Sequence, residues 1–120
     1  MAKEAAHLYE IRNYHIAPEQ LDNYKTWIGT HGLPHIRQHM HVIGFWVKGD
    51  MDPEVSGASL DDLGAANVSW VIRWESKEHA DKTKEKVFGS QTWQDIFAKF
   101  PGGREAYKRV EVKYFEGLMA

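Results

Sequence analysis

Leu8-Tyr9-Glu10-Ile11-Arg12-Asn13-Tyr14-His15-Ile16 decides how the rest of the chain is read. It is rich in aromatic and branched residues, alternates along its length, and reads as a β-strand. Successive side chains of a strand point to opposite faces. Tyr9, Ile11, Asn13 and His15 therefore share one face, and Leu8, Glu10, Arg12, Tyr14 and Ile16 the other. An acid, a guanidinium and a phenol in line are unusual for a plain core strand. That face either meets solvent or lines a polar pocket, and the function turns on which.

Working outward, Pro18 stands where a helix would begin, with Glu19 in its first turn. Leu21, Tyr24 and Ile28 repeat at helical spacing. His31, His35 and His39 continue that stripe, but Gly32 and Pro34 interrupt it, and a residue before proline is pushed away from helical angles. A kink is expected there, with a second helical piece ending about Gln38. Val42-Ile43-Gly44-Phe45-Trp46-Val47 is a nearly continuous apolar strand, expected to be covered on both faces.

Residues 49–65 form a long acidic loop rich in Gly, Pro and Ser, the kind that is usually functional or mobile. Asp50, Asp52, Glu54, Ser56 and Asp61 fall where a calcium loop places ligands, but Val55 stands where its turn needs glycine, so calcium is rejected. Asn67 to Trp74 is a third strand, with Val68, Trp70, Ile72 and Trp74 on one parity. Ser76 caps a helix over Lys77 to Phe88, with Ala80 and Val87 inward. Gly89-Ser90 breaks it. Trp93, Ile96, Phe97 and Phe100 then make a helical apolar stripe, read as core. Pro101-Gly102-Gly103 stops that helix, and Val110 to Glu116 is the last strand.

The order is β-α-β-β-α-β, a ferredoxin-like α+β fold with a four-stranded antiparallel sheet and helices on one face. At 120 residues a single domain spanning 1–120 is expected, large enough to bury a core without staples. There is no cysteine, which excludes disulfides and thiolate chemistry. The net charge is −2 with no basic stripe, so nucleic acid is not an expected partner. No run is long and apolar enough for a signal peptide or a membrane span, and a cytoplasmic location is expected. Strands apolar on both parities call for a second cover, which a homodimer formed through the sheets supplies.

Tyr9-Glu10-Ile11-Arg12-Asn13-Tyr14 resembles the opening strand of NIPSNAP-type domains. His31-Gly32-Leu33-Pro34, Val42-Ile43-Gly44-Phe45-Trp46, Arg73-Trp74-Glu75-Ser76 and Trp93 resemble later segments of that family, over most of residues 8 to 100. The resemblance implies a dimeric α+β barrel whose facing sheets enclose a cavity. Its wider superfamily is similar to cofactor-free monooxygenases, haem-degrading enzymes, small isomerases and ligand-binding modules. Where family members often carry histidine on the third strand, this chain has Trp70, which implies a more apolar pocket.

The resemblance turns the charged face of the first strand toward that cavity, with Glu10 as base, Arg12 as anchor for a carboxylate or enolate, and Tyr14 as donor. A buried Glu–Arg pair that satisfies itself is the alternative. His35 is a candidate catalytic residue, and His31 and His39 candidate substrate contacts; as a cluster the three offer an alternative haem or metal site. Trp27, Trp46, Trp70, Trp74 and Trp93 are candidates for the wall of an aromatic pocket, or for core and dimer interface. No metal or cofactor is expected. The expected activity is acid–base (isomerase- or lyase-like) or cofactor-free oxygenase chemistry on a small, largely apolar molecule, with a ligand-binding module as the competing class. Serine-nucleophile, phosphate-loop and dinucleotide motifs are absent.

Overall fold

The alternation of Leu8–Ile16 (strand β1) is realised at the centre of an antiparallel sheet. The computed structural model describes residues 7–119. The N-terminal hexapeptide, in which no signal-like run is read, lies outside the described residues. After β1 come α1 (Leu21–Trp27), α2 (Leu33–His39), β2 (His41–Val47), β3 (Val68–Trp74), α3 (Lys77–Phe88), α4 (Gln91–Phe97) and β4 (Tyr107–Glu116). The four strands lie in the order β2-β3-β1-β4, with β3 inserted between β1 and β2. This is the expected ferredoxin-like α+β topology. Register sets Arg12 beside Trp70 and Val112, and Glu10 beside Ile72 and Tyr114.

The core sits between the sheet and the helices. Val68, Trp70, Ile72 and Trp74 are buried there with Tyr14, Ile16, Tyr24, Trp27, Ile28 and Ile36. Each fully buried large side chain stabilises the fold by about 1.5–3 kcal/mol. Ala80 and Val87 of α3 face the same layer. Ser76 and Ser90 accept hydrogen bonds from the backbone N–H groups of His79 and Trp93 at 3.0 and 3.1 Å, capping α3 and α4. Phe100 is buried, whereas Trp93, Ile96 and Phe97 are only half-buried. Among the described residues no helix is long and apolar enough to cross a membrane.

Three local readings change. Leu33 keeps helical angles of φ −64° and ψ −41°, and its N–H reaches the Ile28 carbonyl, so no break occurs. One π turn (Ile28–Gly32) joins α1 to α2 and places Pro34 in the first turn of α2, where an N–H is not needed. β2 is an edge strand, and within one chain its outer face is open: Ile43 and Trp46 are 46% and 55% exposed. The Trp46 ring lies over Gly44, where an added Cβ would collide with it, which is why a glycine stands two residues before it on the same face. β3 starts at Val68, not Asn67, and β4 at Tyr107, not Val110. A 3-10 turn (Arg104–Ala106) delivers Tyr107 opposite Ile16.

Between β2 and β3 the acidic loop is exposed and has no regular structure. Its base is closed by the Lys48 N–H donating to the Asn67 carbonyl at 2.8 Å. Arg109 of β4 pairs with Asp61 and donates to the Gly64 carbonyl at 2.6 Å.

Candidate functional site

The face of β1 carrying Glu10, Arg12 and Tyr14 is the one the helices cover, which corrects the expectation that it lines the inside of a barrel between two sheets. The reason is the company it keeps across the sheet: the buried parity of β3 and the aromatic side of α1 share that layer. Glu10 is fully buried. Its Oε2 accepts from Arg12 Nη1 at 2.6 Å. Its Oε1 accepts from Trp74 Nε1 at 3.0 Å and pairs with Lys84 Nζ at 2.8 Å. Lys84 also donates to the Tyr114 hydroxyl at 2.6 Å. Two cations against one carboxylate leave this buried line with net positive charge.

Arg12 is the hub. Its Nε donates to the Tyr14 hydroxyl at 2.6 Å, and the guanidinium lies 5.6 Å from the Tyr14 and Trp70 ring centres. Burial works against its charge, yet Tyr14 and then Glu10 outweigh it, and the guanidinium is held above its ordinary range. Among the described residues its second terminal nitrogen, Nη2, has no protein partner. The Tyr14 oxygen also accepts from Trp70 Nε1 at 3.0 Å. With two donors on that oxygen, the proton of the hydroxyl is what Tyr14 has left to offer.

Above this pair opens a cleft of about 670 Å³ between sheet and helices. Arg12 and Tyr14 form its polar floor, and its walls are aromatic: Tyr24, Trp27, Phe45, Trp70, Phe88, Trp93, Phe97 and Tyr107. Phe45 stacks on Trp70 at 5.1 Å. Trp27 is fixed by donating to the Ile96 carbonyl at 2.8 Å. Burial pushes the Tyr24 and Tyr107 phenols well up, so both keep their protons at neutral pH. Arg104 and Gln94 are the remaining polar lining residues.

Of the candidates read from sequence, the structure brings Arg12, Tyr14, Trp27, Trp70 and Trp93 into this cleft. Glu10 lies behind Arg12, its oxygens taken by Arg12, Lys84 and Trp74, and does not line it. Trp74 holds Glu10 rather than forming wall. Trp46 is on the opposite face of the sheet. His31, His35 and His39 are not among the lining residues; His35 stacks on the far side of the wall residue Trp93, ring centres 6.4 Å apart, and His39 is exposed. The His35 and His39 rings are 4.8 Å apart. Burial and then His39 lower the His35 pKa. Among the described residues no three His, Asp or Glu side chains are placed to hold a metal ion.

Lys84, Tyr107 and Arg104 were not read as site residues. A signal existed for Lys84: it falls at helical spacing between the inward residues Ala80 and Val87, so a lysine there must face the sheet. For Arg104, in an irregular turn, periodicity offers nothing.

Fold and cleft together define a ferredoxin-like α+β domain with an aromatic cavity between its layers. That fold is the one seen in solved structures of NIPSNAP family proteins. A NIPSNAP family protein with unknown function from Agrobacterium tumefaciens superposes with a TM-score of 0.73 at 14% identity, covering 96% of this chain and 91% of that chain. An uncharacterised NIPSNAP-like domain protein from Burkholderia xenovorans gives 0.72 at 16% identity, over 93% and 85%. An uncharacterised NIPSNAP domain protein from the same organism gives 0.62 at 20% identity, over 90% and 91%. No protein-family model and no curated protein matches the chain. At these identities the likeness is one of fold.

Proposed function

We propose that this chain is a NIPSNAP-like homodimeric protein that takes a small, flat, largely apolar molecule into the cleft by an anionic or enolisable oxygen, and acts on it by proton transfer. The observation that carries the reading is the Arg12–Tyr14 pair: two free donors, Nη2 and the phenol O–H, at the floor of an aromatic cavity over a buried line of net positive charge. Preorganised donors in a water-poor site are what stabilises a developing oxyanion. Solvent water takes the carbon-bound proton, the Tyr14 hydroxyl hydrogen-bonds and protonates the developing enolate oxygen, and Arg12 holds the charge. Glu10 orients Arg12 and does not itself exchange protons with the substrate. An oxyanion held this way is also the species from which cofactor-free oxygenation would start.

The experiment has two readouts. Naphthalene-2-carboxylate, titrated against the wild type, is expected to quench the fluorescence of the tryptophans in the cleft wall, and Arg12→Gln to weaken that binding at least about tenfold. α-Hydrogen exchange of 2-tetralone in D2O, followed by NMR, is expected to be accelerated by the wild type and slowed about a hundredfold by Tyr14→Phe. Binding without exchange would leave the second reading, a ligand-binding module without turnover. That reading is favoured by one observation: among the described residues the lining carries neither carboxylate nor imidazole to serve as a base.

The dimer in this proposal joins the uncovered sheet faces. What supports it is the outer parity, where Ile43, Trp46 and Phe115 are about half exposed on one side of a two-layer domain. Sedimentation at low micromolar concentration is expected to give the mass of two chains for the wild type and of one for Trp46→Glu. A folded wild-type monomer would remove the dimer from the proposal but not the cleft, which lies within a single chain.

A further inference from the structure

Arg12 is not the only guanidinium on the cleft. Arg104 also lines it, and among the described residues its side chain has neither an ion pair nor a hydrogen bond. Its position is set by the backbone. Gly103, just before it, has φ 59° and ψ −163°, a conformation that side chains beyond glycine rarely adopt. An added Cβ at Gly102 would meet Phe100 at 2.8 Å and Ala106 at 2.9 Å. The turn is therefore packed tightly, and it holds Arg104 just ahead of Tyr107.

Register then places the two arginines relative to each other. Tyr107 pairs with Ile16, and Arg12 lies one strand segment further along β1 on the same face. At about 3.4 Å per residue, Arg12 to Ile16 spans roughly 14 Å of strand. Tyr107 stands against Tyr14 with ring centres 5.5 Å apart, and Phe97 against Tyr107 at 6.0 Å. Arg12 is four-fifths buried at the floor, whereas Arg104 is exposed at the edge. The cleft is thus a largely aromatic slot lined by two cations, one buried at its floor and one exposed four strand positions further along.

We infer that the ligand class of this cleft is a flat aromatic molecule with two anionic groups at opposite ends, one seated on Arg12 and Tyr14 and the other on Arg104. The inference rests on the proposed anchoring role of Arg12 and adds the outer contact. A single acid would satisfy only the floor and leave the Arg104 guanidinium without a partner. A second acid would gain an ion pair at the mouth, where partial exposure keeps it modest and sensitive to salt.

The test compares naphthalene-2-carboxylate with naphthalene-2,6-dicarboxylate, which carries its acids at opposite ends of the same bicycle, by fluorescence titration of the full chain. The diacid is expected to bind about fivefold more tightly at low salt, the size of one partly exposed ion pair. Arg104→Gln, an exposed substitution, is expected to collapse that preference to about one, and Arg104→Lys to restore part of it. If both acids bind through Arg12 with no preference, or with a preference that survives Arg104→Gln, the outer contact is overturned and the floor site stands. If neither acid binds, the reading of the floor fails and this inference falls with it.

Discussion

Glu10→Ala is expected to lower stability by about 3–4 kcal/mol. The carboxylate is fully buried and faces Arg12 on its own strand and Lys84 on α3, at 2.6 and 2.8 Å. Removing it leaves two cations, each with less than a fifth of its side chain exposed, facing one another without compensation. Breaking a buried pair from one side typically costs 3–5 kcal/mol. Trp74 Nε1, buried beside it, would also lose its acceptor, at about 1 kcal/mol. A domain of this size holds about 5–15 kcal/mol in all, so Tm should fall by roughly 10–20 °C.

The partner variants sharpen the expectation. Arg12→Ala should cost less, about 1–2 kcal/mol, because Glu10 keeps Lys84 and Trp74. Lys84→Met should cost about 1 kcal/mol or less, because its stem packs along the sheet and Arg12 remains. Urea denaturation of the three variants gives the ranking directly. A Glu10→Ala loss no larger than that of Lys84→Met would mean the line is hydrated in solution, and with it the argument that Arg12 is held rigidly for a ligand.

Asn67→Ala is expected to cost about 3 kcal/mol although its side chain neither lines the cleft nor packs in the apolar core. Its side-chain amide replaces a strand partner: Nδ2 donates to the Ile16 carbonyl at 2.7 Å, and the Ile16 N–H donates to Oδ1 at 2.8 Å. Its own backbone N–H donates to the Tyr14 carbonyl at 2.9 Å. Ile16 is fully buried, so truncation orphans a donor and an acceptor that water cannot reach, at about 1–3 kcal/mol each. Asn67→Asp should not rescue it, because a carboxylate has no hydrogen to give the Ile16 carbonyl. Amide exchange offers the specific readout: Ile16 should lose more protection than its neighbours on β1. Equal loss along the whole strand, with under about 1 kcal/mol in denaturation, would show that the clamp contributes nothing of its own.

Asn67 also marks a limit of pattern reading. From sequence it is the first residue of a strand, and nothing in its spacing says that it clamps a residue 51 positions away. Lys84 is the opposite case. Its helical phase with Ala80 and Val87 points it inward, and only the habit of placing lysine in solvent hides it. Pro34 shows a local rule overridden by context: packing of α1 and α2 on the sheet keeps the segment helical, and one π turn absorbs the conflict.

By itself the sequence determined the parities of β1 and β3, the capped start of α3 and the ferredoxin-like order of elements. Those follow from the period of the backbone and from contacts a few residues long. It placed Glu10, Arg12 and Tyr14 on one face without saying which face that was. A strand's alternation is the same viewed from either side, and here both parities carry apolar residues. Only the tertiary structure decided that the helices cover the charged face. That choice depends on side chains brought in from α1, α3, α4 and the turn before β4. The same packing withdrew Glu10 behind Arg12, left the histidines outside the cleft, and set Arg104 at its edge, because each position depends on distances between segments far apart in the chain.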